Sequence, residues 1–179
     1  LNRYTIEAFD NVGGEFFPFA RIEGAQIQKG TVGTHACCLF ADAIAFVGGG
    51  RNEAVSVYIG ANGQAQRIAT REIDQILAEL TESQLAALVV EPKVENGHMQ
   101  LYLHLPDRAL VYDLNASRLL NEPVWTVLSS AVAGFSTYRA RNHVYCYGKW
   151  LVGDPTSASY GYLTDTASTH YGSMTGWEF

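Results

Sequence analysis

Cysteine is scarce in this chain and poorly spaced for chemistry: of three in 179 residues, Cys37 and Cys38 are adjacent and Cys146 stands alone. An odd count with no Cys-x-x-Cys pair excludes a disulfide framework and a zinc ribbon, and it points to reduced thiols that pack as small apolar groups in a cytosolically assembled protein. Basic charge is equally thin. Lys and Arg total 12 against 18 Asp and Glu, a formal net charge of -6 with a pI near 5.3. The cations are scattered singly, without the concentrated positive surface that a phosphate backbone requires, so direct sequence-specific nucleic-acid binding is not expected. No run approaches the ~18 uninterrupted apolar residues of a membrane-spanning helix, and no basic-then-apolar opening reads as a signal peptide. No membrane partner is expected.

What the chain does have is a globular composition, 47% hydrophobic and 17% charged, and a repeated β-type segment. Ile6 to Asp10, Ser56 to Gly60, Leu110 to Leu114 and Tyr160 to Thr164 resemble one another, and aligning Ala8, Tyr58, Tyr112 and Tyr162 gives steps of 50, 54 and 50 residues. A period of this size with β-branched and aromatic residues in each copy indicates a β-propeller or a related array of small sheets. The chain opens at Leu1 and stops after a fresh aromatic segment, Trp177-Glu178-Phe179. The expectation is a piece of a larger array, holding roughly the three repeats at which stacked units share a continuous core.

Turn signals divide the chain further. Asn11-Val12-Gly13-Gly14 precedes Phe16-Phe17-Pro18-Phe19, where the proline indicates an outer strand. Strands are predicted at 36–40 and 44–47 around Ala41-Asp42, with Gly48-Gly49-Gly50 closing the second. The strand over 55–59 reaches Asn62-Gly63, the strongest short hairpin signal, and a strand over 64–69 returns. These make a first four-stranded blade, 36–69. Ile73, Ile76, Leu77 and Leu80 then repeat with helical spacing, and Thr81-Glu82-Ser83-Gln84 has the form of a capping box, so 70–87 reads as a two-helix insertion on a face where interaction surfaces collect. A second blade, 88–128, runs through strands at 88–94, 99–105, 109–114 and 124–128. Alternation in Gln100-Leu101-Tyr102-Leu103-His104-Leu105 marks a strand with one buried face. A third blade, 135–164, is drawn through 135–138, 143–147, 150–152 and 160–163. The fold class is therefore all-β, a propeller-like array of four-stranded antiparallel blades with a short two-helix insertion.

No catalytic constellation emerges. His35, His98, His104, His143 and His170 never fall within metal-ligand spacing of one another or of a cysteine, which makes His104 a framework or surface residue and His98 an exposed one. There is no Gly-x-Ser-x-Gly elbow. Gly48-Gly49-Gly50 lacks the Lys-Ser/Thr of a phosphate loop and reads as a turn. Asp42, Asp107, Asp113, Asp154 and Asp165 sit in turn or strand-end contexts where Asp is common. No cofactor, metal or catalytic residue is expected.

A family resemblance then enters through residues in order along the chain. Gln28-Lys29-Gly30-Thr31-Val32-Gly33-Thr34, Phe40-Ala41-Asp42 with Ala45-Phe46, Ser56-Val57-Tyr58-Ile59 with Gly63-Gln64-Ala65, and Ile68-Ala69-Thr70 resemble the packaged-DNA stabilisation (tail accessory or hub) proteins of short-tailed bacteriophages. The likeness continues through His104-Leu105-Pro106, Leu110-Val111-Tyr112-Asp113 and Trp125 with Val127-Leu128, thinning after Ser130. Gln28, Lys29, Gly30, Gly33, Asp42, Tyr58, Gly63, Pro106, Tyr112, Asp113 and Trp125 carry it as structural signatures. The resemblance implies a non-enzymatic virion protein of the tail or neck, longer than this chain and assembled in the bacterial cytoplasm. It implies a head-completion role that closes the portal channel and stabilises packaged DNA, with hexameric attachment below the portal and adaptor ring and with tailspike and tail-needle partners. A carbohydrate-binding or carbohydrate-active propeller, using Trp150, Tyr160, Tyr162 and the Asp residues, is the alternative; a cellular propeller scaffold is a third reading.

Overall fold

A computed structural model describes residues 2–13 and 16–174. The expected segments at Leu1, Gly14 and Trp177-Glu178-Phe179 lie outside the described residues. The chain forms two compact units, one up to Val90 and one from Glu91 on.

In the first unit, strand β1 (Phe9–Asn11) pairs antiparallel with β2 (Phe19–Arg21), and all six residues are exposed. The main sheet contains β3 (Gly30–Thr31), β4 (Cys37–Phe40), β5 (Ala43–Gly49), β6 (Ser56–Ala61) and β7 (Gln64–Arg67), in the order β3-β5-β6-β7 with β4 also on β5. Asn62 and Gly63 adopt φ of 50° and 76°, the left-handed pair that matches hairpin twist. Ala41 and Asp42 make the same kind of turn at φ 50° and 61°. Phe46 stacks on Tyr58 with ring centroids 5.5 Å apart, and Ile6 and Ile27 complete that core.

The glycine run differs from its expected role as a turn. Gly48 and Gly49 continue β5 and pair with Thr31 and Gly30 of β3, a fifth strand that patterning did not reveal. The cause is close backbone approach. A Cβ on Gly48 would stand 1.7 Å from the Gly30 carbonyl oxygen, and one on Gly30 would stand 2.0 Å from that of Asn2. Three backbone segments thus stack where side chains cannot fit.

Helices α1 (Arg71–Ala78) and α2 (Glu82–Ala86) occupy the expected insertion. Thr70 caps α1 and Thr81 forms the capping box with Gln84. Ile73, Leu77 and Leu85 turn inward, and Asp74 accepts a 2.6 Å hydrogen bond from Ser56 Oγ while pairing with Arg67.

Strand β8 (Val89–Glu95) leads into the second unit, where β9 (His98–His104), β10 (Ala109–Asp113) and β11 (Val124–Leu128) complete a four-stranded sheet in the order β8-β9-β10-β11. An unanticipated helix, α3 (Leu114–Leu120), joins β10 to β11. Asp113 at the strand end is its N-cap, accepting from the Ala116 amide at 2.9 Å, and Asn121 ends it at φ 58°. The expectation for β9 is corrected as well: Leu101, Tyr102, Leu103 and His104 are all buried, so both faces of the strand are covered. Leu101 and Leu103 face one side with Leu110 and Tyr112 opposite them, while Tyr102 and His104 face the other with Val111 and Ala109.

The third sheet has three strands, β12 (Arg141–Cys146), β13 (Lys149–Gly153) and β14 (Tyr160–Tyr162), followed by a small hairpin of β15 (Thr169–His170) and β16 (Ser173–Met174). The strand expected at 135–138 does not form. Ser129 Oγ accepts from the amides of Ala131 and Ser136, and Ser130 Oγ from that of Arg139, so side chains take hydrogen bonds that a ladder would otherwise supply. Tyr138 still buries its ring, beside Tyr102, Val111 and Val152.

The repeat is now legible. Tyr58, Tyr112 and Tyr162 lie in β6, β10 and β14, the third strand of the runs β4–β7, β8–β11 and β12–β14. The copy at Ala8 is different: Ile6 makes only an isolated bridge to Ile27, and β1 begins at Phe9 and pairs elsewhere.

Gly48→Ala is expected to destabilise the first unit by about 3 kcal/mol, because its Cβ meets backbone that cannot yield. Gly153→Ala, whose Cβ would find Arg141 O at 3.7 Å, should change stability by less than about 1 kcal/mol. Denaturant unfolding of the two variants checks the contrast.

Candidate functional site

The signature residues fall into two groups, one in each unit. In the first unit Lys29 pairs with Glu53 and lies 4.9 Å over the ring of Tyr58. The Glu53 hydrogen bond raises the Lys29 ammonium above its ordinary pKa. Both residues line an open cleft of about 540 Å³ with Ser56, Arg67 and Asp74. Its charges are matched among themselves, Lys29 to Glu53 and Arg67 to Asp74. Gln28 is exposed beside this segment. Gly33 lies against Ala86 of α2, where a Cβ would be 2.3 Å from the carbonyl oxygen, and Gly30, Asp42 and Gly63 serve the close approach and turns described above.

In the second unit Tyr112 and Trp125 are cross-strand partners with rings 5.3 Å apart. Asp113 caps α3 and also meets His98 Nδ1 at 2.6 Å, so His98 is exposed yet partnered. Pro106 accepts a 2.5 Å hydrogen bond from Thr137 Oγ1 through its carbonyl.

The most concentrated polar chemistry lies at residues that spacing did not connect. Glu91 of β8, His104 of β9 and His143 of β12 converge. A carboxylate only accepts, so the ring nitrogens facing it carry protons: His104 Nε2 donates to Glu91 Oε1 at 2.6 Å and His143 Nδ1 at 2.9 Å. The backbone amide of Asn142 adds a third donor to Oε1 at 3.0 Å, and that of His143 reaches Oε2 at 2.9 Å. A register shift between Arg141 and Val144, with Asn142 at φ 59°, turns these two amides off the β12–β13 ladder and onto the carboxylate.

Burial alone would push the Glu91 carboxyl up; the His104 and His143 hydrogen bonds instead hold it well below the ordinary carboxylate range. Burial pushes His104 below the usual imidazole value, against the pull of Glu91. Tyr138, at the other side of His104, is pushed up to about 12 by burial. The three residues are 13 and 39 positions apart in order, so no local motif announces them. Only the buried polar member of β9, His104, hinted that a partner was required.

Residues 1–168 match the family model described as "Bacteriophage P22 Gp10, beta-propeller". The chain belongs to this family. "Tail hub protein gp10" of Salmonella phage P22 is 36% identical over 145 residues, which cover 81% of this chain and 30% of that relative. The chain thus spans less than a third of the length of the curated relative it matches. The antiparallel sheets described above are those of a β-propeller family.

In this P22 Gp10-like chain Trp150 of the sugar reading lines a cleft of about 550 Å³ with Tyr145, Lys149 and Asp165, and Tyr160 and Tyr162 are exposed. Trp150 has Tyr145 at 5.2 Å, Lys93 Nζ at 5.8 Å and His143 edge-on at 6.5 Å, and Lys149 sits 4.1 Å over Tyr162. Asp154 is bound by Arg139, Thr156 and Ser157, and Arg139 holds its carboxyl low.

Glu91→Gln puts an amide against several N–H donors in a buried setting. It should cost about 3 kcal/mol of stability. Glu82→Gln, which breaks an ion pair of comparable length, 2.7 Å to Arg3, should cost less than about 1 kcal/mol because that pair is exposed. Chemical denaturation of both variants measures the difference.

Proposed function

We propose that this chain is part of a non-enzymatic tail hub of a short-tailed phage, a head-completion protein that closes the portal channel, stabilises the packaged DNA and attaches other tail components. The observation that carries this reading is the match to the P22 Gp10 family over residues 1–168, together with 36% identity to a protein named as a tail hub. The partners are the portal and adaptor ring, the tailspikes and the tail needle. The assembled state is a hexamer in the neck of the virion, built in the bacterial host cytoplasm, with no membrane and no direct sequence-specific contact to nucleic acid.

Two physical features support it. A net charge of -6 suits a protein that retains DNA by sealing a channel rather than by gripping phosphates. The β1–β2 hairpin leaves Phe9, Phe16, Phe17 and Phe19 between 48% and 94% exposed. Aromatic groups gathered in this way belong to surfaces that assembly covers.

The repeat of Tyr58, Tyr112 and Tyr162 supports an array of about three blades, near 36–69, 88–128 and 135–164, with 70–87 inserted, inside a larger propeller. The signature residues act in that array as framework, through the turns, caps and ring pairs they make.

The test is sedimentation of the full-length protein mixed with portal and adaptor. Comigration at a fixed ratio is expected. Separate sedimentation of the components under assembly conditions would overturn the proposal.

A further inference from the structure

We propose that Glu91, His104 and His143 bind one divalent transition-metal ion of the zinc class. One donor atom from each residue lies within 4.8 Å of the other two. The imidazoles are 1% and 0% exposed and the carboxylate 13%, so the group is largely buried. Three strands supply it, β8 and β9 as neighbours in one sheet and β12 from another.

Hydrogen bonding alone serves the cluster poorly. Three N–H groups approach Glu91 Oε1, at 2.6, 2.9 and 3.0 Å, where an oxygen has two lone pairs to offer. Two of them are imidazole donors aimed at the same atom. At the far side of each ring, His104 Nδ1 and His143 Nε2 are buried without a hydrogen-bond partner.

A cation placed between the rings converts two crowded donors into two lone-pair ligands. Each displaced proton moves to the distal nitrogen of its own ring, His104 Nδ1 or His143 Nε2. No proton is released and no bond other than N–H is broken. The cluster goes from a charge of -1 to +1, against the nearby Arg141 guanidinium, which already depresses His104.

The donor set chooses the ion. Two imidazole nitrogens and a carboxylate suit Zn²⁺, Co²⁺ or Ni²⁺, whereas Ca²⁺ and Mg²⁺ need several more oxygens. The amides of Asn142 and His143 steady the carboxylate, as outer donors do in metal sites. Tyr102, with its ring 4.7 Å from that of His143, and Tyr138, 6.2 Å from His104, close the surroundings. The three protein ligands leave one position of a tetrahedral ion to a water, and the ion links β8, β9 and β12.

The inference is independent of the tail-hub reading, and its test needs no virion component. Chelator-treated full-length protein is titrated with Zn²⁺ by calorimetry and with Co²⁺ by visible absorption, and thermal unfolding is followed with Zn²⁺, Mg²⁺ and Ca²⁺. Saturation by Zn²⁺, a Co²⁺ spectrum of nitrogen and oxygen ligation, and a melting temperature raised by Zn²⁺ but not by Mg²⁺ or Ca²⁺ are expected. His143→Gln should weaken Zn²⁺ binding at least about tenfold. Absence of saturable Zn²⁺ binding by the unmodified protein overturns the proposal whatever the variant does. Unchanged affinity in a folded His143→Gln protein overturns it too, because the ion then sits elsewhere.

Discussion

Burial of both faces of β9 is the constraint on which the second unit depends. A strand with no solvent face must satisfy its polar side chains internally, since a buried polar atom without a partner costs on the order of 1–3 kcal/mol. His104 is such a group, at 2% exposure. Glu91 answers it, and the carboxylate, itself costly to bury, draws in His143 and two backbone amides. The bulge at the start of β12 follows from that demand, because an unbroken ladder would have kept those amides for β13. One side chain thereby links β8 and β9 of one sheet to β12 of another.

The first unit solves a different problem, how to bring backbone close to backbone. Asn2, β3 and β5 stack through Gly30 and Gly48, and α2 reaches the main sheet's flanking loop at Gly33. At Gly30 and Gly33 contact distance constrains the backbone, and at Asp42 and Gly63 turn geometry does. Lys29 and Tyr58 meet, and the charges beside them are already paired.

The exposed phenylalanines of the β1–β2 hairpin and the outward tyrosines of the third sheet, Tyr145, Tyr147 and Tyr160, are 48% to 95% exposed. Tyr147 also holds a left-handed backbone at φ 52° in its turn with Gly148, a position where a small residue is the easier choice. Rigid aromatic groups on short hairpins provide contact area at little entropic cost on binding.

Local chemistry written within a few residues was legible in the sequence. Asn62-Gly63 turned a hairpin, Thr81 with Gln84 boxed a helix start, and the tyrosine period marked third strands, because each depends on neighbours in the chain. The in-order motifs carried the family for the same reason. Tertiary structure alone decided that Gly48-Gly49 would pair with β3. It alone also joined Glu91, His104 and His143. In both cases the choice depends on an atom supplied by a distant segment, and such a choice leaves no period in the sequence to read.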